Sequence, residues 1–224
     1  CEEIKFPREA IEDAGYMCAV TGQKSYNGVA ILSRLPMEVS HIRLPGDEDD
    51  AQARYLEVEI ATTGRAVRVA CLYCPNGNPL GTEKFSYKLA WMDRLQAHVK
   101  GLLVLEEPLI LAGDWNIIPR HDDCYNPAAW ADDALFQPES RAAWQRLLNL
   151  GLTDAFMAVD GAPHSYTFWD YQAGAWPKDH GIRIDHLALS AQAADCLDSV
   201  RIWRDARAKE KASDHVPVSA DFGF

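Results

Sequence analysis

Three short apolar segments of the chain each carry an aspartate at one end, and this pattern limits how the chain can fold. The segments are 108–116, 182–186 and 213–218. Short apolar runs are typical of buried strands, and polar groups just outside a strand end lie in the crevice at the edge of the sheet. Three such segments predict that strand ends bring acids together around a divalent metal and a phosphate.

The remaining sequence alternates between strand-like and helix-like patterns. Apolar and β-branched residues favour strands at 29–32, 55–60, 66–73, 108–113, 184–189 and 216–222. Apolar side chains at steps of three and four residues predict an amphipathic helix over 84–99, and a second helix is expected over 140–150. This alternation indicates a layered α/β or α+β fold, and no repeat or linker interrupts it, so we expect one domain spanning 1–224.

Composition and charge narrow the class of protein. Of the 224 residues, 48% are hydrophobic and 25% are charged, a profile typical of soluble globular proteins. No apolar stretch approaches the roughly 20 residues of a membrane-spanning helix, and no signal peptide is visible, so we expect a cytoplasmic protein without a membrane partner. The net charge of −11 argues against indiscriminate nucleic-acid binding but is compatible with a local basic groove.

The six cysteines do not indicate a metal site. Cys71 and Cys74 form a CxxC pair, but a zinc site of this type usually requires a second pair. Two unconnected thiols in a reducing compartment are the favoured interpretation.

The segment Gly113-Asp114-Trp115-Asn116 places a carboxylate and an amide just beyond a predicted buried strand. In extended backbone Asp114 and Asn116 lie on the same side, where they could orient a water and stabilise a developing oxyanion. A plain turn explains this segment equally well when it is taken alone, because Asp and Asn are common turn residues.

The two other acidic segments pair an aspartate with a histidine. In the first, strand alternation puts Arg183 and Asp185 on one face, so a simple ion pair competes with a functional role. In the second, His215 could act as general acid or base, or hold a phosphate oxygen. Asp214 could orient the histidine ring and stabilise its charged form, and a surface histidine beside a capping acid is the alternative.

Three further segments offer contacts to a polar ligand. The turn 73–77 supplies Tyr73 and Asn76 as hydrogen-bond donors to a phosphate. The glycine-bounded loop 22–28 supplies backbone amides and a lysine to a nucleic-acid backbone. The aromatic segment 166–171 could form a platform or pocket for a sugar or base. An ordinary turn, a hairpin loop and core packing are the respective alternatives.

Together, these segments resemble the exonuclease III family of abasic-site endonucleases, within the endonuclease/exonuclease/phosphatase superfamily. The matching motifs run in family order: GQKSYNGVAILS (22–33), YCPNG (73–77), GDWNI (113–117), YTFWDY (166–171), GIRIDHLALS (181–190) and SDHVPV (213–218). The resemblance implies a DNase I-like, four-layered α/β sandwich. Two packed β-sheets would be flanked by helices, with the site where strand ends meet.

The resemblance also implies roles for individual residues. The catalytic set would be Tyr73, Asp114, Asn116, Asp185, Asp214 and His215. Asp114 would activate or orient the attacking water, while Asn116 and Tyr73 would contact the phosphate. Asp185 would help to anchor the metal or orient the site. The imidazole of His215, positioned by the preceding aspartate, would bind the scissile phosphate.

The implied DNA contacts lie in several segments. They are Lys24, Tyr26, Gly28, Asn76, Lys88, Phe168, Trp169, Ile182 and Ile184. The first three would meet the DNA backbone, and Lys88, like Arg54, is a weaker candidate for a phosphate contact. Phe168 and the two isoleucines would line an apolar pocket for a flipped abasic sugar, supported by Trp169. Nucleotides that carry a base would be too bulky for such a pocket.

The implied cofactor is Mg²⁺ or Mn²⁺, held by Asp114, Asn116 and Asp214. Family members also carry a catalytic Asn on a first strand and then a Gln-Glu-x-Lys motif whose Glu is the main metal ligand. Neither is visible in this sequence, so we expect an N-terminally truncated domain with an impaired metal site. Glu3 superficially resembles that Glu, but Phe6-Pro7 follows too soon for Glu3 to be the expected ligand.

These expectations combine into one main function. The chain would be a divalent-metal-dependent phosphodiesterase that cleaves duplex DNA 5′ to abasic sites, with 3′-to-5′ exonuclease and 3′-end-cleaning activity. The expected partner is double-stranded DNA with abasic sites or 3′ ends, and the expected state is a monomer. The alternatives are a phosphatase of the same superfamily acting on phosphoinositides or other small phosphoesters, and an inactive DNA-binding module.

Overall fold

A computed structural model describes residues 2–224, in which three sheets and five α-helices are arranged in layers. The strands are β1 (Met17–Gly22), β2 (Gly28–Ser33), β3 (Met37–His41), β4 (Tyr55–Ala61), β5 (Ala66–Tyr73), β6 (Leu109–Asp114), β7 (Thr153–Asp154), β8 (Asp185–Leu189), β9 (Leu197–Ile202) and β10 (Val218–Phe222). The helices are α1 (Arg8–Asp13), α2 (Glu83–Leu103), α3 (Pro138–Leu148), α4 (Ala155–Val159) and α5 (Ala191–Ala194).

The largest sheet has six strands in the order β3-β4-β5-β6-β8-β7. Only β5 and β6 are parallel neighbours, and the chain between them forms the long helix α2, as a parallel crossover requires. The other neighbouring strands are antiparallel. The end of β5, the end of β6 and the start of β8 therefore meet at one edge of the sheet.

Two hairpins cover one face of this sheet and two helices cover the other. Alternation along β5 sends Ala70 and Leu72 into the core shared with α2 and α3, and sends Val69 and Cys71 toward the hairpins. The β1–β2 hairpin packs over β4 and β5, and the β9–β10 hairpin packs over β6 and β8. Helix α1 lies against β1. The layers are thus helix, sheet, sheet and helix, which confirms the expected sandwich.

The helix-side core explains why α2 is the longest helix. Trp91, Met92 and Leu95 are buried against the sheet at helical spacing. The helix begins after Thr82, whose side chain accepts a hydrogen bond from the backbone N–H of Lys84 at 3.3 Å. The predicted helix 84–99 is correct but continues to Leu103. No helix within residues 2–224 combines enough length with enough apolar sequence to cross a bilayer.

Most predicted strands lie where the sequence places them, and four observed strands were not predicted. The prediction 66–73 coincides with β5, whereas 216–222 begins two residues early, since β10 starts after Pro217, which has no N–H to donate to a ladder. Strands β1, β3, β7 and β9 were missed. They lie in outer positions, the mixed burial of β1, β3 and β9 produces only a weak apolar signal, and β7 has only two residues.

Candidate active site

Three polar side chains stand next to each other at one edge of the large sheet. Tyr73 is the last residue of β5, Asp114 the last of β6 and Asp185 the first of β8. The strand register pairs Asp114 with Tyr73 on one side and with Asp185 on the other. Residues from segments that are far apart in the sequence are therefore adjacent because three strands end or begin at the same level.

Gly113 permits this close approach of β5 and β6. Its φ is +151°, and a Cβ atom built on it would lie 1.9 Å from the backbone oxygen of Leu72. No other residue type fits without displacing one of the two strands. The glycine of the GDWN motif is thus a packing requirement that fixes Asp114 beside Tyr73.

Asn116 holds the carboxylate of Asp114 in place. Its backbone N–H donates to Asp114 Oδ1 at 2.9 Å, and its side-chain Nδ2 donates to Asp114 Oδ2 at 3.1 Å and to the backbone oxygen of Cys74 at 3.0 Å. Asn76 Nδ2 in turn donates to Asn116 Oδ1 at 3.0 Å. Asn116 has a φ of +48°, a conformation that asparagine tolerates better than most residues. Its amide is fully engaged in positioning Asp114.

Lys88 requires a correction. The sequence suggested a phosphate contact, but the side chain of Lys88 is fully buried. Its Nζ donates to the backbone oxygen of Asn76 at 3.1 Å and to that of Asn116. A buried lysine cannot reach a DNA phosphate, and its ammonium group instead ties together the two loops that carry the site's asparagines.

The ring of His215 is oriented by an aspartate other than the one predicted. His215 Nδ1 lies 2.9 Å from Oδ2 and 3.1 Å from Oδ1 of Asp185. The preceding residue, Asp214, instead accepts a hydrogen bond from the Ser213 hydroxyl at 3.3 Å. Asp214 remains close enough for its charge to raise the pKa of His215 and of Tyr73. It belongs to the site without positioning the ring.

Thr167 is a site-building residue that the sequence reasoning missed. Its hydroxyl accepts hydrogen bonds from the backbone N–H groups of Ile184 and Asp185, at 3.1 and 3.2 Å. Its backbone oxygen accepts from Val216 at 2.8 Å. It therefore connects the start of β8 to the segment that carries His215. The only signal was a threonine amid aromatic residues, which the motif reading passed over.

Three ionisable side chains of the cluster have shifted pKa values. Burial, and then the charge of Asp185, raise the pKa of Asp114 to about 7. Burial by itself lowers the pKa of His215, but the hydrogen bond and charge of Asp185 outweigh it and raise the pKa to about 9. Burial and the charge of Asp114 raise the pKa of Tyr73. At neutral pH the site therefore combines an imidazolium, a neutral phenol and a carboxyl group with intermediate protonation.

The donor set suits a divalent metal ion. Asp114 is bonded only to the neutral groups of Asn116, and among residues 2–224 no Lys or Arg side chain donates a hydrogen bond to its carboxylate. Asp185 and Asp214 add further carboxylate oxygens, which are ligands that Mg²⁺ and Mn²⁺ favour. The aspartates do not converge into a closed cage, and this suits an ion that keeps waters and binds through one or two carboxylates.

A polar groove leads away from this cluster. It has a volume of about 500 Å³ and is lined by the predicted contact residues Lys24, Tyr26 and Asn76, together with Arg54 and Tyr73. Lys24, Tyr26 and the backbone at Gly28 are exposed. Arg54 lies with its guanidinium 5.0 Å from the Tyr73 ring centre and donates to the Tyr73 backbone oxygen at 3.1 Å. The loop and the strand ends thus form one continuous surface.

The predicted apolar pocket residues differ in their exposure. Phe168 is partly exposed and packs edge-on against the ring of His215, with ring centres 4.9 Å apart. Trp169, Ile182 and Ile184 are buried. The two isoleucines belong to the core beneath Phe168, and Trp169 Nε1 donates to Asp179 at 3.0 Å. Of these four, only Phe168 presents an apolar surface beside the cluster; the two isoleucines support it, and Trp169 packs in a neighbouring core cluster.

Two further residues named from the sequence, Glu3 and Arg183, have contacts of their own. Glu3 lies in a short 3₁₀-helix, is exposed, and accepts a hydrogen bond from the backbone of Gly22 at 3.4 Å. The sequence left open a simple ion pair between Arg183 and Asp185, and the structure does not contain it. Arg183 is buried and bonds to Asp123 at 2.8 Å and to Asp154 at 3.0 Å.

Comparison with known proteins identifies the architecture. The family model described as Endonuclease/Exonuclease/phosphatase family matches residues 4–215. The chain belongs to this family. It is 33% identical to the exodeoxyribonuclease III of Haemophilus influenzae over 99% of this chain and 88% of that protein, which confirms the resemblance to the exonuclease III family. Members are generally dependent on a divalent metal.

Solved structures of family members superpose closely on this chain. A 3′ phosphatase from Neisseria, bound to a product DNA hairpin, has a TM-score of 0.94 and 38% identity, covering 100% of this chain and 86% of that chain. An AP endonuclease from Archaeoglobus fulgidus has a TM-score of 0.93 and 30% identity, with the same coverage. The DNase I-like sandwich is therefore shared along the whole chain.

Proposed function

We propose that this protein is a divalent-metal-dependent DNA repair nuclease that hydrolyses phosphoester bonds 5′ to abasic sites and at 3′ ends of duplex DNA. The observation that carries the proposal is the Asp114–Asp185–His215 cluster at the end of the groove lined by Lys24 and Tyr26. A cluster that binds a phosphate and activates a water thereby adjoins a surface that suits a nucleic-acid backbone. The exonuclease III relatives and the DNA-bound neighbour support the same conclusion.

The chain's own residues divide the chemistry between them. His215 remains protonated near neutral pH because its pKa is about 9. Its Nδ1 is held by Asp185, so Nε2–H is free to donate to a phosphate oxygen. The carboxylate of Asp114, at the end of β6, is placed to accept the proton of the attacking water. The Tyr73 hydroxyl stays protonated and donates to the phosphate or to the leaving oxygen.

The residues that would hold the metal are Asp114 and Asp214, with Asn116 keeping Asp114 in orientation. A bound Mg²⁺ or Mn²⁺ supplies charge that offsets the negative charge of the phosphate and the leaving oxygen. Asp185 serves mainly as the partner of His215. Asp114 lies opposite the carboxylate of Asp185. A cation bound at Asp114 would offset their repulsion and favour the deprotonated form of Asp114.

Substrate choice follows from the surfaces beside the cluster. Phe168, packed on Ile182 and Ile184, provides an apolar wall against His215 on which a sugar without a base can pack. A nucleotide with its base would need more space than this wall leaves. Lys24 and Tyr26 supply contacts to the DNA backbone, which position the duplex without reading its sequence. We propose that the protein acts as a monomer.

The test uses labelled duplexes that carry either one tetrahydrofuran abasic analogue or a 3′ phosphate. With Mg²⁺, the full-length protein should nick 5′ to the analogue and remove the 3′ phosphate, and EDTA should abolish both reactions. Asp114→Asn and His215→Ala should lose activity, whereas Asp198→Asn, an exposed acid on β9, should retain it.

Two outcomes would contradict the proposal. Intact duplexes together with rapid hydrolysis of small phosphomonoesters would indicate a small-molecule phosphatase. Metal-independent binding to the abasic duplex without nicking, by a protein that is demonstrably folded, would indicate an inactive DNA-binding module.

A further inference from the structure

A second polar cluster lies on the helix side of the large sheet, remote from the strand ends that carry Asp114. It consists of His41 at the end of β3, Glu57 in β4 and His98 in α2. Each offers one ligand atom, and the three atoms lie within 4.8 Å of one another. Within residues 2–224, no other group of three or more His, Cys, Asp or Glu side chains is arranged in this way. Glu57 pairs with Ala70, three residues before Tyr73, which is roughly 10 Å along a strand.

A β-bulge brings His41 into this cluster. The ladder between β3 and β4 pairs Val39 with Val58, and in a regular ladder Ser40 would then face Glu57. The register instead shifts after Val39, so that His41 is the partner of Glu57. Directly opposed residues project on the same face, and bulges often serve to redirect a side chain. The bulge therefore directs the His41 imidazole toward the carboxylate and toward His98 above it.

The carboxylate of Glu57 is buried and held rigidly by groups outside the histidine pair. Glu57 is fully inaccessible to solvent. Its Oε2 accepts from the Tyr55 hydroxyl at 2.6 Å, and its Oε1 accepts from Arg68 at 2.8 Å. Such partners fix the orientation of a metal-binding carboxylate. The two imidazoles lie against the same oxygens, with His98 Nε2 at 2.7 Å and His41 Nδ1 at 3.3 Å.

The charge around Arg68 favours a cation despite the guanidinium beside Glu57. Arg68 contacts three carboxylates, those of Glu57, Glu59 and Glu107, at 2.8, 2.7 and 2.9 Å. With neutral histidines, three negative charges face one positive charge, and two negative charges remain. A divalent cation at the histidines would neutralise this excess, which is carried by the partly exposed side chains of Glu59 and Glu107 as well as by buried Glu57.

We propose that His41, Glu57 and His98 form a zinc site that is separate from the catalytic cluster. Two imidazole nitrogens and one carboxylate are a recognised ligand set for zinc, with the fourth position open to water. The His41–Glu57 separation of 3.3 Å matches two ligands of a tetrahedral ion with bonds of about 2.0–2.1 Å. His98 Nε2 lies at hydrogen-bond distance from Glu57, 2.7 Å, and would move outward by roughly half an ångström to bind the same ion. The His41 side chain is 41% exposed, so an ion can enter from solvent. Imidazole ligands also select zinc over Mg²⁺.

The test is calorimetric titration of the full-length protein with Zn²⁺ in the presence of excess Mg²⁺. We expect one Zn²⁺ per chain, and we expect His41→Ala and His98→Ala to weaken binding about tenfold or more. Zinc should also raise the thermal unfolding midpoint of the wild type but not of His41→Ala, whose partly exposed side chain can be removed with little effect on folding. His121→Ala, which removes an exposed histidine outside the cluster, should bind zinc like the wild type.

Ions held by the strand-end aspartates are separated by a second variant. Asp114→Asn should leave the zinc titration unchanged, and a loss of binding in that variant would overturn the proposal. Equal zinc binding by wild type and His41→Ala would overturn it as well. An absence of zinc binding by the wild type would also overturn it, and protonation of both histidines at neutral pH, observed by NMR, would then show that two imidazolium groups balance the same charge.

Discussion

Arg183 and Asp185 are separated by one residue, yet they belong to polar clusters with opposite electrostatic character. Arg183 is buried between Asp123 and Asp154 and donates to His186 Nδ1 at 2.9 Å, so each charge has a partner of opposite sign. Asp185 is partly exposed and faces another carboxylate, that of Asp114, with His215 as its only cationic partner among residues 2–224.

This difference separates stability from function within a single segment. In the Arg183 cluster the hydrogen bonds are satisfied and little could be gained by adding a ligand. In the Asp185 cluster the pKa of Asp114 is raised, first by burial and then by repulsion from the carboxylate of Asp185. Strongly perturbed acids in an open position are typical of functional sites. The ion pairs of Arg183 stabilise this part of the chain, so that the repelling carboxylates of Asp114 and Asp185 can remain adjacent.

The largest expected effect follows from replacing the open acid. Asp185→Asn should lower the rate of cleavage of an abasic duplex by about 10²–10⁴-fold, the usual range for loss of acid–base groups. It removes the partner that keeps the His215 ring oriented and charged, and the pKa of His215 should fall from its value of about 9. Stability should change little, because repulsion with Asp114 is relieved at the same time. Single-turnover kinetics, NMR titration and urea unfolding measure the three quantities.

Asp198→Asn serves as the matched control for that variant and should leave all three quantities unchanged. If Asp185→Asn instead unfolded readily while its folded fraction kept full activity, the distinction between the two clusters would be lost.

The neighbouring substitution should have the converse effect. Arg183→Met leaves buried Asp154 without its cation and Asp123 with Arg120 alone, and should lower the free energy of unfolding by about 3–5 kcal/mol. Activity per folded molecule should be largely retained at a temperature where the protein is folded. Arg146→Met removes an exposed pair with Asp93 and should cost no more than about 1 kcal/mol. Similar losses in the two arginine variants, measured in urea, would contradict a sealed network.

Acid should weaken the sealed cluster through His186. Burial, and then the charge of Arg183, lower the pKa of His186 to about 4 from 6.5. The unfolded chain therefore binds a proton between these values that the folded chain does not, so stability falls as the pH drops from about 6.5 toward 4. The full difference is about 3 kcal/mol. The free energy of unfolding measured between pH 7 and pH 5 should decrease in the wild type.

His186→Gln removes this titration and keeps a donor for Ile117 and an acceptor for Arg183, so its stability should depend less on pH in the same window. His121→Gln, at an exposed position, should follow the wild type. A wild-type curve that is flat from pH 7 to 5 would refute the assignment of a neutral, buried His186.

The smallest expected effect distinguishes an exposed lysine from a buried one. Lys24→Met should weaken binding to duplex DNA and reduce the slope of log K against log salt by about 1, because one phosphate contact is lost. Lys88→Met should leave that slope unchanged, although it should lower turnover by disturbing the loops of Asn76 and Asn116. Anisotropy titrations in EDTA at several salt concentrations provide the slopes. An equal change of slope in both variants would restore Lys88 as a DNA contact.

Much of the fold was predictable because its inner elements carry strong periodic signals. Strand β5 is packed on both faces, and helix α2 is packed along one continuous apolar stripe. The apolar residues of each therefore recur at the spacing of that element. The outer strands β3 and β9 expose much of their surface, so their sequences carry little of this signal. The bulge that places His41 opposite Glu57 has no sequence signature in β3.

Within the site, the residue types were predictable and several partners were not. Local chain geometry places Asp114 and Asn116 on one side of a strand end, and the contacts between them are local. The aspartate that orients His215 lies 30 residues earlier in the chain, whereas sequence adjacency pointed to Asp214. The burial of Lys88 is likewise set by loops from elsewhere in the chain that close over it.

The amino-acid sequence alone specified the strand-end acids, the histidine, the polar loop and the layered class of fold, because these depend on residue type and on periodicity over short distances. Tertiary structure decided which acid holds His215, which arginine is buried in the core and which lysine is exposed on the groove. Such pairings depend on strand register and on packing between distant segments. Spacing along the chain determines only which face of its strand or helix a side chain occupies.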